Sequence, residues 1–510
     1  MGRKILLVTT DQQRYDHLGC NGGTLARTPV VDGLARAGIR YERAVPQSVV
    51  CMPSRATILT GQHPATHGVW MNGVPLPADA PSVAEVLRRA GYRTALIGKA
   101  HFEPFLDPFL RFPENALAAR GTRPAGDAHR GFEHLELAGH GAQGPLHYAR
   151  WLRAEHPEAV GMFLSPLDDD LQVTATGGGD TGAPQVHRNP IPRAWYHTDW
   201  VADRTIAWLR GVAQHEDWFC WMSFPDPHHP WDPPEAEMGR IDWHDVPLPP
   251  GYPPTAAQRS AVLAAKPRQW RLWHEGRLVT NYEAPARFVP ARLTDDQLRE
   301  IRARNAVASE LIDEALGRVL AEVERRGWGQ DLDVVFTSDH GELEGDFGLL
   351  FKGPCHVDGL MRVPLVWRPA PSSDTTPGVV HRPVGLVDLA PTLCQIAGLP
   401  APPWLQGRAL PTNDQEGPER VLTSWDSELF GVGVHLRTIT RDGWVCTAAL
   451  PGSLHDGTEG ELYDLADDPL QWVNRFDDPA CRTLRDDLLA DLWDAQPPAR
   501  ATRLELEAPV

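Results

Sequence analysis

The chain of 510 residues carries 67 acidic against 49 basic side chains, a net charge of −18, and is 42% hydrophobic. Its length would suit about three domains of ~150 residues, but large α/β domains often exceed that size, and the apolar content is ample for one large core. The acidic balance excludes nucleic acid and anionic membrane as general partners, so an anionic substrate would have to be drawn in by a local cluster of cations and a metal.

The seven cysteines, at 20, 51, 220, 355, 394, 446 and 481, are odd in number and form no CxxC pair. That is the usage of reduced thiols in a cytoplasmic protein. The segment Met1–Thr10 has only four apolar residues in a row, too few for a signal-peptide core. No run approaches the ~20 apolar residues that span a bilayer. A soluble, cytoplasmic protein is expected.

In chain order, Ile5–Val8 is a continuous aliphatic run, as in a strand buried on both faces, and it leads to Asp11 and Gln12. A helix is predicted over Val30–Ala37, then an extended stretch, Tyr41–Val50. Cys51-Met-Pro-Ser-Arg55 opens an apolar helical run that closes on Gly61, a C-cap residue. A helix over Ser82–Ala90 precedes the strand Tyr92–Ile97, which ends in Lys99 and His101. From Phe102 to Trp200 the pattern weakens into expected long loops, and the glycine run Thr176–Asp180 reads as loop, not as a phosphate cradle. Thr198–Leu209 is a predicted helix and Trp218–Phe224 a buried strand leading to His228 and His229. Residues 231–295, rich in proline and tryptophan, read as a lid or pocket rim. Ala308–Arg326 is an amphipathic helix, Asp333–Phe336 a strand ending in Asp339 and His340, and Val363–Trp367 a further strand. Val387–Ala397 is the last helix of the large domain. After a proline-rich joint, Val421–Trp425, Gly433–Thr440, Trp444–Leu450 and Glu461–Leu465 read as short antiparallel strands, closed by a helix over Leu484–Trp493.

The β-α-β alternation predicts an α/β fold: a large, mostly parallel mixed sheet sandwiched by helices over 1–412, and a small α+β domain with an antiparallel sheet over 413–510. Parallel sheets bind ligands beyond the carboxyl ends of their strands. Asp11, Lys99 with His101, His228, and Asp339 with His340 all fall there. Cys51 starts a helix, where free N–H groups and the dipole favour an anion. Arg55, one turn on, adds a fork of donors for an oxyanion. Asp11 and Asp339 are hard oxygen ligands, His340 a nitrogen ligand and Gln12 a further oxygen. Lys99, Lys352 and Arg55 would neutralise a transferring group, and His101 and His228 are the proton-transfer candidates. The aromatics Trp195, Tyr196, Trp231, Trp243, Trp270 and Trp273 read as core or as pocket lining.

Cys51-x-Pro-Ser-Arg55 with the following Thr60-Gly61 resembles the signature of the sulfatases of the alkaline phosphatase superfamily. Gly91-Tyr92 with Gly98-Lys99-x-His101, Pro227-His228-His229-Pro230 and Ser338-Asp339-His340-Gly341 are similar to further motifs of that family, so the likeness spans nearly the whole chain. It implies an alkaline phosphatase-like fold and conversion of Cys51 to formylglycine by a formylglycine-generating enzyme. It also implies one divalent metal held by Asp11, Gln12, Cys51, Asp339 and His340, with calcium the family default and manganese or zinc better suited to an imidazole. Arg55, Lys99, His101, His228 and Lys352 take catalytic positions by this likeness, and Asn72, Lys99, His228 and Lys352 contact substrate. The implied activity is hydrolysis of a small sulfate ester, and homo-oligomerisation is common in the family. Gln12 and His340 replace the Asp and Asn of many sulfatases, a variant resembling the phosphonate monoester hydrolase and choline-sulfatase branch. A phosphonate monoester or phosphodiester substrate is the alternative, and a non-catalytic binding homologue a third reading. Lys99-x-His101 favours sulfate, because the phosphonate branch carries hydroxyl-bearing residues there.

Overall fold

A computed structural model describes residues 3–107, 109–120, 128–164, 177–279 and 288–508. Met1, Gly2 and Thr176, which enter the readings above, lie outside these. Eight strands form the main sheet: β1 (Lys4–Thr10), β2 (Ile39–Tyr41), β3 (Arg93–Gly98), β4 (His134–Leu137), β5 (Trp218–Ser223), β6 (Leu332–Ser338), β7 (Leu365–Arg368) and β8 (Gly378–Val380), in the spatial order β8-β2-β7-β6-β1-β5-β3-β4. All run parallel except β7, which is antiparallel to both neighbours. Alternate residues of the central strands enter two different cores. Ile5, Leu7, Phe219 and Val335 pack into one, and Leu6, Val8, Cys220 and Val334 into the other. Burial on both faces is why these strands read as unbroken apolar runs.

A separate antiparallel sheet follows, in chain order: β9 (Arg420–Leu429), β10 (Val432–Arg441), β11 (Trp444–Ala449) and β12 (Gly460–Asp464), backed by the helix Arg482–Asp494. Residues 498–508 then run back along the large sheet's side of the molecule. There Arg500 N donates to Ala65 O (2.8 Å), Trp70 Nε1 to Leu504 O (2.8 Å) and Glu507 N to Gly73 O (2.9 Å).

Three expectations are corrected. Residues 102–200 hold more regular structure than expected, since among long irregular stretches they carry the helices Pro113–Arg120 and His147–Glu155 and the sheet-edge strand β4. Four residues are too short a run to register as a periodic pattern. The long helix begins at Asp295, not Ala308, and a capping box between Thr294 and Gln297 starts it. Its first half buries Glu300, Arg302 and Arg304, which interrupt the apolar stripe that would have revealed it. Finally, residues 231–295 are not simply a rim: they contain the helices Ala256–Ala264 and Arg268–His274. Trp270 and Trp273 of the second helix pack against Trp425 and Leu436 of the antiparallel sheet. Tyr196 and Trp231 are likewise buried, so these four aromatics are core, while Trp195 and Trp243 are half-buried.

Candidate active site

The floor of the site follows from strand register. Thr10 lies opposite Ser338, and Gly98 opposite Ser223. With strands about 4.8 Å apart, Asp11 and Asp339 leave the carboxyl end of the sheet level with one another, and Lys99 leaves it one residue lower. Gly98 has a φ of 108°, and a Cβ there would lie 1.7 Å from the Ser223 carbonyl oxygen. That same oxygen accepts the Lys99 N–H at 2.8 Å, so a glycine is required for the chain to turn Lys99 into the site.

Cys51 is the first residue of the helix Cys51–Thr60, which is buried all round and ends on Gly61 in the left-handed conformation. Its Sγ lies 3.1 Å from His340 Nε2, 3.3 Å from Lys352 Nζ and 3.5 Å from Asp11 Oδ1. The His340 Nδ1–H donates to the Gly341 carbonyl at 2.9 Å, which leaves the Nε2 lone pair facing Asp11 Oδ1 and Asp339 Oδ1, each at 3.8 Å. Burial pushes His340 down to about 4, against the upward pull of Asp339 and Asp11, so the ring is neutral near pH 7. Burial alone would raise Asp11. Lys99, at 2.5 Å, with His228, Arg55 and His340, holds it well below the usual carboxylate range. One atom each from Asp11, Cys51, Asp339 and His340 therefore lies within 4.8 Å of the others, all buried and all carrying lone pairs. A divalent cation at their centre would satisfy the set, which matches a mixed oxygen and nitrogen site.

One expected role differs from the geometry. Arg55, fully buried, does not turn its fork to an open oxyanion position. Its Nε donates to Asp339 Oδ2 (2.8 Å), Nη2 to Asp11 Oδ2 (3.3 Å), and Nη1 to the Lys99 carbonyl and Ser223 Oγ (both 2.8 Å). Two carboxylates within reach of a guanidinium shut off from water take its donors first. Gln12 Oε1 accepts from Lys352 Nζ at 2.8 Å, which uses one of its two lone pairs and leaves the other for a metal.

The remaining residues form the other wall. Lys352 Nζ also meets His228 Nε2 at 3.0 Å, and the His228 Nδ1–H donates to the His229 carbonyl at 2.5 Å. His101 is buried with a φ of 58° and stands edge-on to Phe105 at 4.9 Å. Asn72 Oδ1 accepts the Met52 N–H at 2.9 Å, capping the start of the Cys51 helix, while its buried Nδ2 makes no hydrogen bond among the described residues.

Three contributors were not read from the sequence. Ser54 Oγ donates to the Asp339 carbonyl at 2.6 Å. Glu342, three residues past Asp339 in a motif that was noticed, accepts from Gln12 Nε2. Burial pushes Glu342 up to about 7, opposed by its N–H bonds. His140, in the segment read as loop, meets Lys99 Nζ with its Nε2 at 3.3 Å and stacks on His228 with ring centres 4.4 Å apart. Burial, then Lys99 and His228, push His140 well below the ordinary imidazole value, so it accepts from Lys99 as a neutral ring. A second group of convergent ligand atoms, Glu103, Glu114 and His129, is already compensated by Arg130, 2.7 Å from Glu103.

The family model described as Sulfatase matches residues 3–399. An uncharacterized sulfatase of Escherichia coli (strain K12) is 26% identical over 500 residues, covering 96% of this chain and 86% of that protein. An arylsulfatase of Clostridium perfringens is 27% identical over 425 residues, covering 80% and 78%. Among solved structures, the phosphonate monoester hydrolase of Agrobacterium radiobacter superposes with a TM-score of 0.75 at 26% identity, covering 96% of this chain and 95% of that one.

Proposed function

The chain belongs to the sulfatase family, and on that premise we propose that it hydrolyses small sulfate esters through a formylglycine hydrate made from Cys51. The observation that carries the reading is the convergence on Cys51 Sγ of Asp11, His340 and the Lys352 ammonium within 3.5 Å. Sγ stands in for the hydrate oxygen that would attack. Conversion of Cys51 by a formylglycine-generating enzyme belongs to the proposal, as does the division into a catalytic part, 1–412, and a smaller part, 413–510.

Asp11, Gln12, Asp339, His340 and residue 51 would hold one divalent cation, calcium, manganese or zinc, which when bound supplies Lewis-acid polarisation of the ester oxygen. The chain's own groups do the rest. Lys99 and Lys352 neutralise the charge of the sulfuryl group from two sides. The His228 Nδ1 proton is committed to the His229 carbonyl, so Nε2 is the atom that exchanges. The proton shared between Lys352 Nζ and His228 Nε2 passes to the ester oxygen as the S–O bond breaks. His101 accepts the proton of the hydrate's second hydroxyl, whose collapse then releases sulfate without an attacking water. Arg55 holds Asp11 and Asp339 in place through its Nη2 and Nε bonds.

A second reading, hydrolysis of phosphonate monoesters or phosphodiesters, is favoured by Gln12 with His340 and by the 26% identity to a phosphonate monoester hydrolase. Turnover of nitrophenyl sulfate against phenyl phosphonate by protein matured with the generating enzyme decides between them. We expect the sulfate to turn over faster; a phosphonate rate far above it transfers the assignment to the second reading.

A further inference from the structure

Gln12 is delivered into the site by a strained turn, with a φ of 63° for a non-glycine residue directly after Asp11. The two ends of its buried amide can be told apart by chemistry. Lys352 is a donor only, and the Gln12 atom 2.8 Å from its Nζ must be the oxygen. Glu342 Oε2 and His229 Nδ1, the latter at 3.3 Å, face the other end, which must be the NH2 group. Glu342 is fully buried. Its second oxygen, Oε1, accepts the N–H of Glu344 at 3.0 Å and that of Phe351, the residue before Lys352. One carboxylate thus joins the end of β1, its own loop and the segment carrying Lys352.

We propose that Glu342 is the positioning residue that locks the Gln12 amide with its oxygen toward Lys352, and that it acts on the site through Gln12. Lys352 has three N–H bonds, directed at Gln12 Oε1, His228 Nε2 and Cys51 Sγ. With the amide reversed, an NH2 group would face the ammonium, donor against donor, and Lys352 would leave its place. The consequence for cation binding rests on the sulfatase reading; the consequence for Lys352 does not.

Glu342→Gln keeps the shape and puts an amide, which can donate toward a reversed Gln12, where the carboxyl group accepts the Gln12 NH2. In calorimetric titration with manganese, Glu342→Gln is expected to weaken binding about tenfold, the lower end for loss of an outer partner of a metal ligand. In a Gln12→Ala background the same substitution should add no further loss. In a metal-free crystal structure of Glu342→Gln, Lys352 Nζ should sit beyond hydrogen-bond distance of residue 12. Retention of the 2.8 Å contact seen here, an unchanged manganese affinity in the single variant, or a full additional loss in the Gln12→Ala background would each overturn the proposal. A wild-type protein that binds no manganese, with Lys352 still displaced in the variant, would instead count against the metal reading and leave the role of Glu342 standing.

Discussion

Two buried lysines show how differently this protein treats a charge taken out of water. Lys352 lies in the site against an amide oxygen, an imidazole nitrogen and a thiol. Lys266 lies where the helices Ala256–Ala264 and Arg268–His274 meet the antiparallel sheet. It is caged by the faces of Trp270, Phe347 and Tyr463, at 4.5, 4.6 and 4.5 Å, and donates to Tyr463 Oη (2.6 Å) and the Gln471 carbonyl (2.7 Å). Burial pushes Lys266 down to about 8, with Glu461 opposing. Trp270 Nε1 and Tyr463 Oη both donate to Glu461, so the ammonium, the indole and the hydroxyl of the cage all have partners. The site instead keeps lone pairs facing one another and an Asn72 Nδ2 without a bond. Lone pairs gathered in this way suit the cation proposed above.

The sharpest way to break this comparison is to remove each charge in turn. Lys352→Met should lower kcat/KM about 10²–10³-fold, the cost of losing one preorganised donor to the transferring group, with the calorimetric Tm unchanged or raised. A protein that unfolds on this change would make Lys352 a structural cation. Lys266→Met should do the reverse. It strands the Gln471 carbonyl and removes one of the two bonds of the Tyr463 hydroxyl, costs about 1–3 kcal/mol in denaturant unfolding, and leaves kcat/KM within error. Loss of activity without loss of stability would erase the distinction.

His140→Ala sharpens the boundary of the site. The bond from Lys99 to a neutral ring, worth about 1.5 kcal/mol as a charge-assisted hydrogen bond, corresponds to about a tenfold fall in kcat/KM, measured at fixed stability. An unchanged value would return His140 to the loop in which the sequence alone places it. The smallest effect is a pH slope. The folded pKa of Lys266, about 8, is below its ordinary 10.5. Between those values the unfolded chain holds a proton that the folded chain has released, so stability rises with pH relative to Lys266→Met. The gain is at most about 1.4 kcal/mol per pH unit, and below pH 8 the difference should be flat. A difference that shrinks as pH rises would contradict a buried, depressed ammonium.

The floor of the site was legible because its residues follow unbroken apolar strands by one to five positions, as Asp11, Lys99, Asp339 and His228 do. Sheet register then does the assembling. The walls were not legible in the same way. His140 follows a four-residue edge strand too short to show a period, and the partnership of Glu342 with Gln12 joins residues 330 positions apart. Residue type announced Arg55 as a fork but could not say whether carboxylates or a substrate would hold it. The capping box of the long helix, Thr294 with Gln297, was present in the sequence and was outweighed by the buried charges that follow it.

The central claim is that residue 51, once oxidised, is the group that the buried cations and carboxylates serve. Its most direct test pairs peptide mass spectrometry of residue 51 with sulfate release from nitrophenyl sulfate, across preparations matured to different extents. The account expects sulfate release to rise in proportion to the fraction of Cys51 converted to the aldehyde, and to vanish in Cys51→Ala. Sulfate release that is independent of conversion, or fully converted protein that releases no more sulfate than Cys51→Ala, would contradict it.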